Sequence, residues 1–182
     1  MSEIPQGPAL GLLELCSVAR GLVACDQMVK RAPVWVVEAR AVMPGKYLIY
    51  ITGGVDEVDE ALRAGLQAAG DTLIDHLFLP YPHQTLPPLL IAPASPEISS
   101  VGIIEGFSIT GVIRAADAAL KAAYIHGVRL DRGAHLGGKA SFTLTGDLHD
   151  VEAAIEAGRA ALGEGLLAGC EIIANPHPDI RP

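Results

Sequence analysis

The segment Gly133-Ala134-His135-Leu136-Gly137-Gly138-Lys139-Ala140 comes nearest to a chemical motif in this chain of 182 residues. Its glycines and lysine approach a phosphate-binding P-loop, in which backbone N–H groups cradle phosphate and a Ser or Thr hydroxyl binds magnesium. Ala140 stands where that hydroxyl is needed, and Ser141-Phe142-Thr143-Leu144-Thr145 alternates like a strand. A P-loop requires a helix N-terminus at that point, so the nucleotide reading is rejected. The histidines His76, His83, His126, His135, His149 and His177 show neither HxxxH nor HExxH spacing, which leaves metal ligation without a pattern. His135 differs from the rest in adjoining the glycine loop. Cys16, Cys25 and Cys170 form no CxxC pair, and Cys16 and Cys25 read as small or buried apolar positions. No nucleophile is paired with a base. The chain is expected to be no enzyme and to hold no metal or cofactor.

The elements that carry these residues occur twice. Ala9-Leu10-Gly11 to Glu14, followed by Asp26 and Lys30, returns as Ser100-Val101-Gly102 to Glu105, followed by Asp117 and Lys121. Gly45-Lys46 matches Gly138-Lys139, Thr52-Gly53 matches Thr145-Gly146, and Pro82-His83 matches Pro176-His177. A repeat of this length is a duplicated domain rather than a solenoid unit. Each copy reads strand, helix, strand, strand, helix, strand. In the first, Ala9–Leu15 is an apolar buried strand, and Val18, Leu22, Met28 and Val29 mark a helix ending in Lys30, where a cation suits the helix dipole. Val34–Val42 and Tyr47–Thr52 are predicted strands joined by the tight turn Met43-Pro44-Gly45-Lys46. Val55 to Ala69 has helical periodicity with acidic residues in its first turn, and Leu73–Leu79 closes the copy. The second copy follows the same plan, with Asp147 placed to cap its second helix. The proline-rich stretch Pro80 to Ser100 is a stiff, partly packed linker, which puts the domains at 1–95 and 96–182.

Half of the residues are hydrophobic, 19% are charged and 4% are aromatic. Mean hydropathy is +0.36, which fits either a tight core of small residues or large obligate interfaces. The formal net charge is −8 without a basic run, so nucleic acid is not an expected partner. No apolar stretch approaches the roughly 20 residues that span a bilayer. Met1-Ser2-Glu3-Ile4-Pro5 has neither the basic nor the apolar region of a signal peptide, and a cytosolic location is expected.

Taken in order, these motifs resemble the bacterial microcompartment (BMC) shell domain, present twice. The resemblance rests on Ala9-Leu10-Gly11…Glu14, Asp26…Lys30, Pro44-Gly45…Gly53-Gly54 and Pro82-His83. It returns in Val101-Gly102…Glu105, Asp117…Lys121, Gly137-Gly138…Gly146-Asp147 and Pro176-His177. It implies an α+β fold of two tandem βαββαβ domains, each an antiparallel sheet with helices packed on it. It also implies a homotrimer with pseudo-sixfold symmetry that tiles with other shell proteins into the facets of a microcompartment in the bacterial cytoplasm. By the same resemblance, Val42, Met43, Pro44 and Gly45 with His135, Leu136, Gly137 and Gly138 would line a central pore for small metabolites. Lys30 and Lys121 would lie at the trimer edge, in contacts between neighbouring tiles. A metal-carrying subgroup of tandem shell proteins has cysteine in the first pore loop, where this chain has Met43. Two alternatives stay open at this point: a tandem small-molecule regulator of the ACT or PII type, and a shell variant carrying a redox centre.

Overall fold

The structure is a computed structural model that describes residues 7–133 and 136–180. The chain divides between Pro82 and His83 into two compact units. In the first, β1 (Ala9–Leu15), α1 (Val18–Arg31), β2 (Trp35–Val42), β3 (Lys46–Gly53), α2 (Val55–Ala69) and β4 (Leu73–Pro80) follow in order. The second unit opens with the short helix α3 (Leu86–Leu89). It continues with β5 (Ser100–Gly106), α4 (Ile109–Ala122), β6 (Ile125–Arg132), β7 (Ala140–Gly146), α5 (Leu148–Leu162) and β8 (Leu167–Ile173). Each unit holds one four-stranded antiparallel sheet, ordered β2-β3-β1-β4 and β6-β7-β5-β8. The α+β architecture is the one expected. No helix among the described residues is long and apolar enough to cross a membrane.

The continuous apolar run of β1 is explained by its place. It lies between β3 and β4, and every one of its residues is buried. A strand with partners on both sides and no exposed face has no use for alternating polarity. The duplication extends to irregularities that composition does not reveal. The register of the outer pair shifts between Val36 and Glu38 in one unit and between Gly127 and Arg129 in the other. It shifts again at Glu14/Leu15 and at Glu105/Gly106. Such bulges bend a strand locally, and their recurrence shows that the curvature was copied with the fold. Capping is copied too. The Ser17 hydroxyl accepts from Arg20 N–H at 3.2 Å, and Ser108 accepts from Gly111 N–H at 2.9 Å. Thr52 and Thr145 each donate to a carbonyl of the central strand, at 2.9 and 2.8 Å. Asp147 occupies the N-cap position of α5, but its side chain makes no capping hydrogen bond.

The proline-rich segment was expected to end the first domain at residue 95. Instead it folds with the second unit. Leu86, Leu89 and Leu90 are buried, the Leu89 side chain fills the space over Gly127, and Ala94 N–H donates to the Val128 carbonyl at 2.8 Å. The leucines, rather than the prolines, decide where this segment belongs.

In each unit the two long helices pack on each other and on the sheet. Their close approach depends on helix glycines, Gly65 in the first unit and Gly111 and Gly158 in the second. A Cβ at Gly65 would lie 2.6 Å from Leu13 Cδ1 and 2.7 Å from Met28 Sδ. At Gly158 it would overlap Ile104 Cδ1 and sit 3.1 Å from the Ala115 carbonyl oxygen. A flexible methionine end can retreat, whereas a helix carbonyl cannot. Overpacking of about 1–3 kcal/mol therefore outweighs the roughly 1 kcal/mol that alanine gains over glycine in a helix. Gly158→Ala should lower unfolding stability by about 1–2 kcal/mol and Gly65→Ala by less, as read from urea denaturation of the two variants.

Candidate functional site

The segments expected to line a pore are the turns that join the third strand of each sheet to its outer neighbour. In the first unit the turn is Met43-Pro44-Gly45, closed by Gly45 N–H donating to the Val42 carbonyl at 3.1 Å. Gly45 has φ +90°, a conformation that only glycine adopts without strain. Met43, Pro44 and Gly45 are exposed, while Val42 is buried under the turn. The second turn is longer. Gly137 and Gly138 have φ of +59° and +86°, and Lys139 N–H donates to the Leu136 carbonyl at 3.2 Å. Gly137 is exposed, Leu136 half-buried and Gly138 buried. His135 lies outside the described residues.

Both turns are tied to the central strand of their sheet by an ion pair. Lys46 Nζ lies 2.6 Å from Glu14 Oε1, and Lys139 Nζ lies 2.6 Å from Glu105 Oε1. Sheet register explains the meeting: Glu14 stands opposite Leu48 and Glu105 opposite Ser141, two residues beyond each lysine. The Glu14 side chain has no solvent exposure, whereas Glu105 keeps 33% of its own. A fully buried carboxylate requires a nearby cation and hydrogen bonds to offset lost hydration. Neither pair was expected from the sequence. The available signal was that all four residues are matched positions of the repeat.

Lys30 and Lys121 sit in the last turns of α1 and α4. Each pairs with the aspartate one turn earlier, Lys30 with Asp26 at 2.7 Å and Lys121 with Asp117 at 2.6 Å. An acidic residue four places before a lysine is the favourable order for such a pair on a helix. Both lysine side chains keep substantial exposure, so their ends are available to a neighbouring molecule.

The expectation for the cysteines needs correction. Cys16 is exposed, as is its counterpart Phe107. The backbone explains it: Cys16 N–H and Phe107 N–H donate at 2.8 Å to the carbonyls of Thr72 and Leu166. These positions are held by the main chain as it leaves the sheet, and their side chains point outward. Cys25 is half-buried; burial pushes its thiol pKa up, with the Asp26 charge adding to the shift. Burial also raises the Cys170 thiol. Both effects disfavour the thiolate that would ligate metal or attack an electrophile. Among the described residues no group of three or more His, Cys, Asp or Glu could hold a metal ion.

The family described as the BMC domain matches residues 9–82 and again 100–176. The bacterial microcompartment shell protein PduT of Citrobacter freundii is 37% identical over 171 residues, covering 93% of each chain. The carboxysome shell protein CsoS1A of Hydrogenovibrio crunogenus is 37% identical over 87 residues, which is 46% of this chain but 91% of that one. Half of this molecule therefore corresponds to nearly the whole of a shell protein. The crystal structure of a microcompartment protein from Desulfitobacterium hafniense DCB superposes with a TM-score of 0.82 at 38% identity, covering 93% of this chain and 95% of that one. The ACT- or PII-type regulator finds no support in these comparisons. Two matched domains and a relative aligned along almost the full length place the chain in the BMC-domain family, as a microcompartment shell protein with two such domains in tandem.

Proposed function

We propose that three copies of the chain form a ring of pseudo-sixfold symmetry that serves as a structural, non-catalytic tile. Together with other shell proteins, such tiles cover the facets of a microcompartment in the bacterial cytoplasm. The observation that carries this reading is the doubled turn with its doubled Lys–Glu anchor, since six equivalent turns around one axis require only three chains. The names of the relatives support a shell role. In the ring, three Met43-Pro44-Gly45 turns and three Leu136-Gly137-Gly138 turns line a narrow central pore for small metabolites. The described turn tips carry no charged side chain, and the absence of a side chain at exposed Gly45 and Gly137 lets the backbone come close to the axis. Met43 offers a thioether rather than a thiolate, so the first turn lacks the ligand that iron–sulfur clusters use. Light scattering should give the mass of a trimer, and electron microscopy of the concentrated protein should show extended sheets. A stable monomer would remove the reading.

Lys30 and Lys121 are proposed to make the contacts between neighbouring tiles. The Lys30–Asp26 pair is exposed on both sides and worth about 0.5 kcal/mol; Asp117 is buried, but it also accepts from His83 N–H and so keeps a partner when Lys121 is lost. A contact repeated along every edge matters far more to a lattice. The double variant Lys30→Ala/Lys121→Ala should stay trimeric and form no sheets, as seen by light scattering and microscopy of one preparation. Ordered sheets from this variant would refute the assignment.

The pore turns depend on their anchors to unequal degrees. Lys46→Met takes the cation from a buried carboxylate and should cost about 3 kcal/mol. Lys139→Met breaks a pair open to solvent and should cost less than about 1 kcal/mol. Denaturant unfolding of the two single variants measures the difference, and equal losses would show that the first anchor does not hold its turn.

A further inference from the structure

The two copies share a joint that is filled in one and open in the other. After Pro82 the chain makes a tight turn: Leu86 N–H donates to the His83 carbonyl at 2.9 Å, and Thr85 N–H donates to His83 Nδ1 at 3.4 Å. This turn lies on α4. His83 N–H donates to Asp117 Oδ1 at 2.7 Å, while Lys121 holds the other carboxylate oxygen. Leu86 is completely buried, in the short helix that packs on α4 and β6. After Pro176 the same turn is formed again. Ile180 N–H donates to the His177 carbonyl at 2.8 Å, and Asp179 N–H donates to His177 Nδ1 at 3.3 Å. Here His177 N–H reaches no acceptor among the described residues, and Ile180, which stands where Leu86 stands, is 49% exposed.

The receiving surface is present as well. Among the described residues Asp26, the counterpart of Asp117, holds only Lys30 and Gln27, and its side chain is 48% exposed against 6% for Asp117. On the same face of α1, Val18, Leu22 and Val29 are exposed; their counterparts Ile109, Ile113 and Leu120 on α4 are buried. An apolar helix face beside a carboxylate with a lone-pair site to spare complements a preformed turn that offers an N–H group and an isoleucine. We infer that the His177–Ile180 turn of one copy docks on α1 of a second copy, with His177 N–H donating to Asp26 and Ile180 covering the exposed face. The joint is head-to-tail, so each chain contributes one turn and one α1, and a ring closes without a self-complementary patch. This rests on the trimeric reading above and identifies the contact that closes the trimer.

The test compares the wild-type chain with Ile180→Asp and Asp26→Ala by sedimentation over a range of concentrations. Ile180 is exposed in the single chain, so its replacement leaves the fold undisturbed. Putting a charge where an isoleucine is to be buried should raise the concentration for half-dissociation of the trimer tenfold or more. Asp26→Ala should raise it by a smaller factor. Trimers of undiminished affinity from Ile180→Asp would overturn the joint while leaving the trimer standing. A wild-type chain that never forms trimers would overturn both. Hydrogen exchange on the assembled wild type requires no variant: the His177 amide should exchange as slowly as that of His83, and rapid exchange in the intact trimer would refute the docking.

Discussion

A carboxylate buried on the central strand of the first unit constrains much of what surrounds it. Glu14 is sealed from solvent between two neighbouring strands, where an unpaired charge would be costly. Its cation comes from Lys46, the first residue of β3. That requirement fixes the register of β3 against β1, because a slip of one residue would turn Lys46 to the opposite face. With the start of β3 fixed, the turn that precedes it can stand only at one end of the sheet. The second unit keeps the same pair, half open to water, and its turn is longer. Position is strictly inherited, whereas the length and composition of the turn are free to vary.

A second consequence of duplication is that unsatisfied surfaces in one copy can be recognised by comparison with the other. Exposed valines and leucines are ordinary on any protein surface, and singly they say nothing. Here they gather on α1 and at the start of β2, where Val18, Leu22, Val29, Trp35 and Val36 are all exposed. The matching positions on α4 are buried. Since the two helices share caps, length and final lysine, propensity does not explain the difference. Within the chain the short helix α3 covers α4; in the ring proposed above a neighbouring copy covers α1, and part of the mean hydropathy of +0.36 then belongs to interfaces rather than to cores.

Much of this was legible in the chain itself. Duplication, the order of the long strands and helices, and the two turns all followed from matched residues and hydrophobic periodicity. What stayed hidden depended on distance in space. The Glu14–Lys46 pair joins residues that only sheet register brings together. Cys16 was misread because an apolar type suggested burial, while a backbone hydrogen bond at the strand exit sets its outward direction. The linker was misassigned because proline signals where a helix stops and carries no information about which neighbour the intervening leucines will find. Asp147 reached the expected position without the expected bond, since an N-cap residue is selected by backbone conformation as well as by its side chain.

Two domains in one chain also relax a restriction that one domain repeated six times must obey. In a ring of identical domains every turn at the axis is the same, so a change that suits the pore is imposed six times. In the ring proposed for this chain the turns alternate. One is short, with Pro44 locking its backbone and Met43 exposed at its tip. The other is glycine-rich, with two consecutive residues at positive φ. Proline removes a donor and fixes φ, whereas glycine permits a wider range of backbone conformations. In that ring, alternation would place proline-stiffened turns beside glycine-rich ones, a threefold chemistry within a nearly sixfold frame. The strongly buried anchor belongs to the stiff turn and the weaker, half-exposed anchor to the glycine turn, so mechanical difference follows chemical difference.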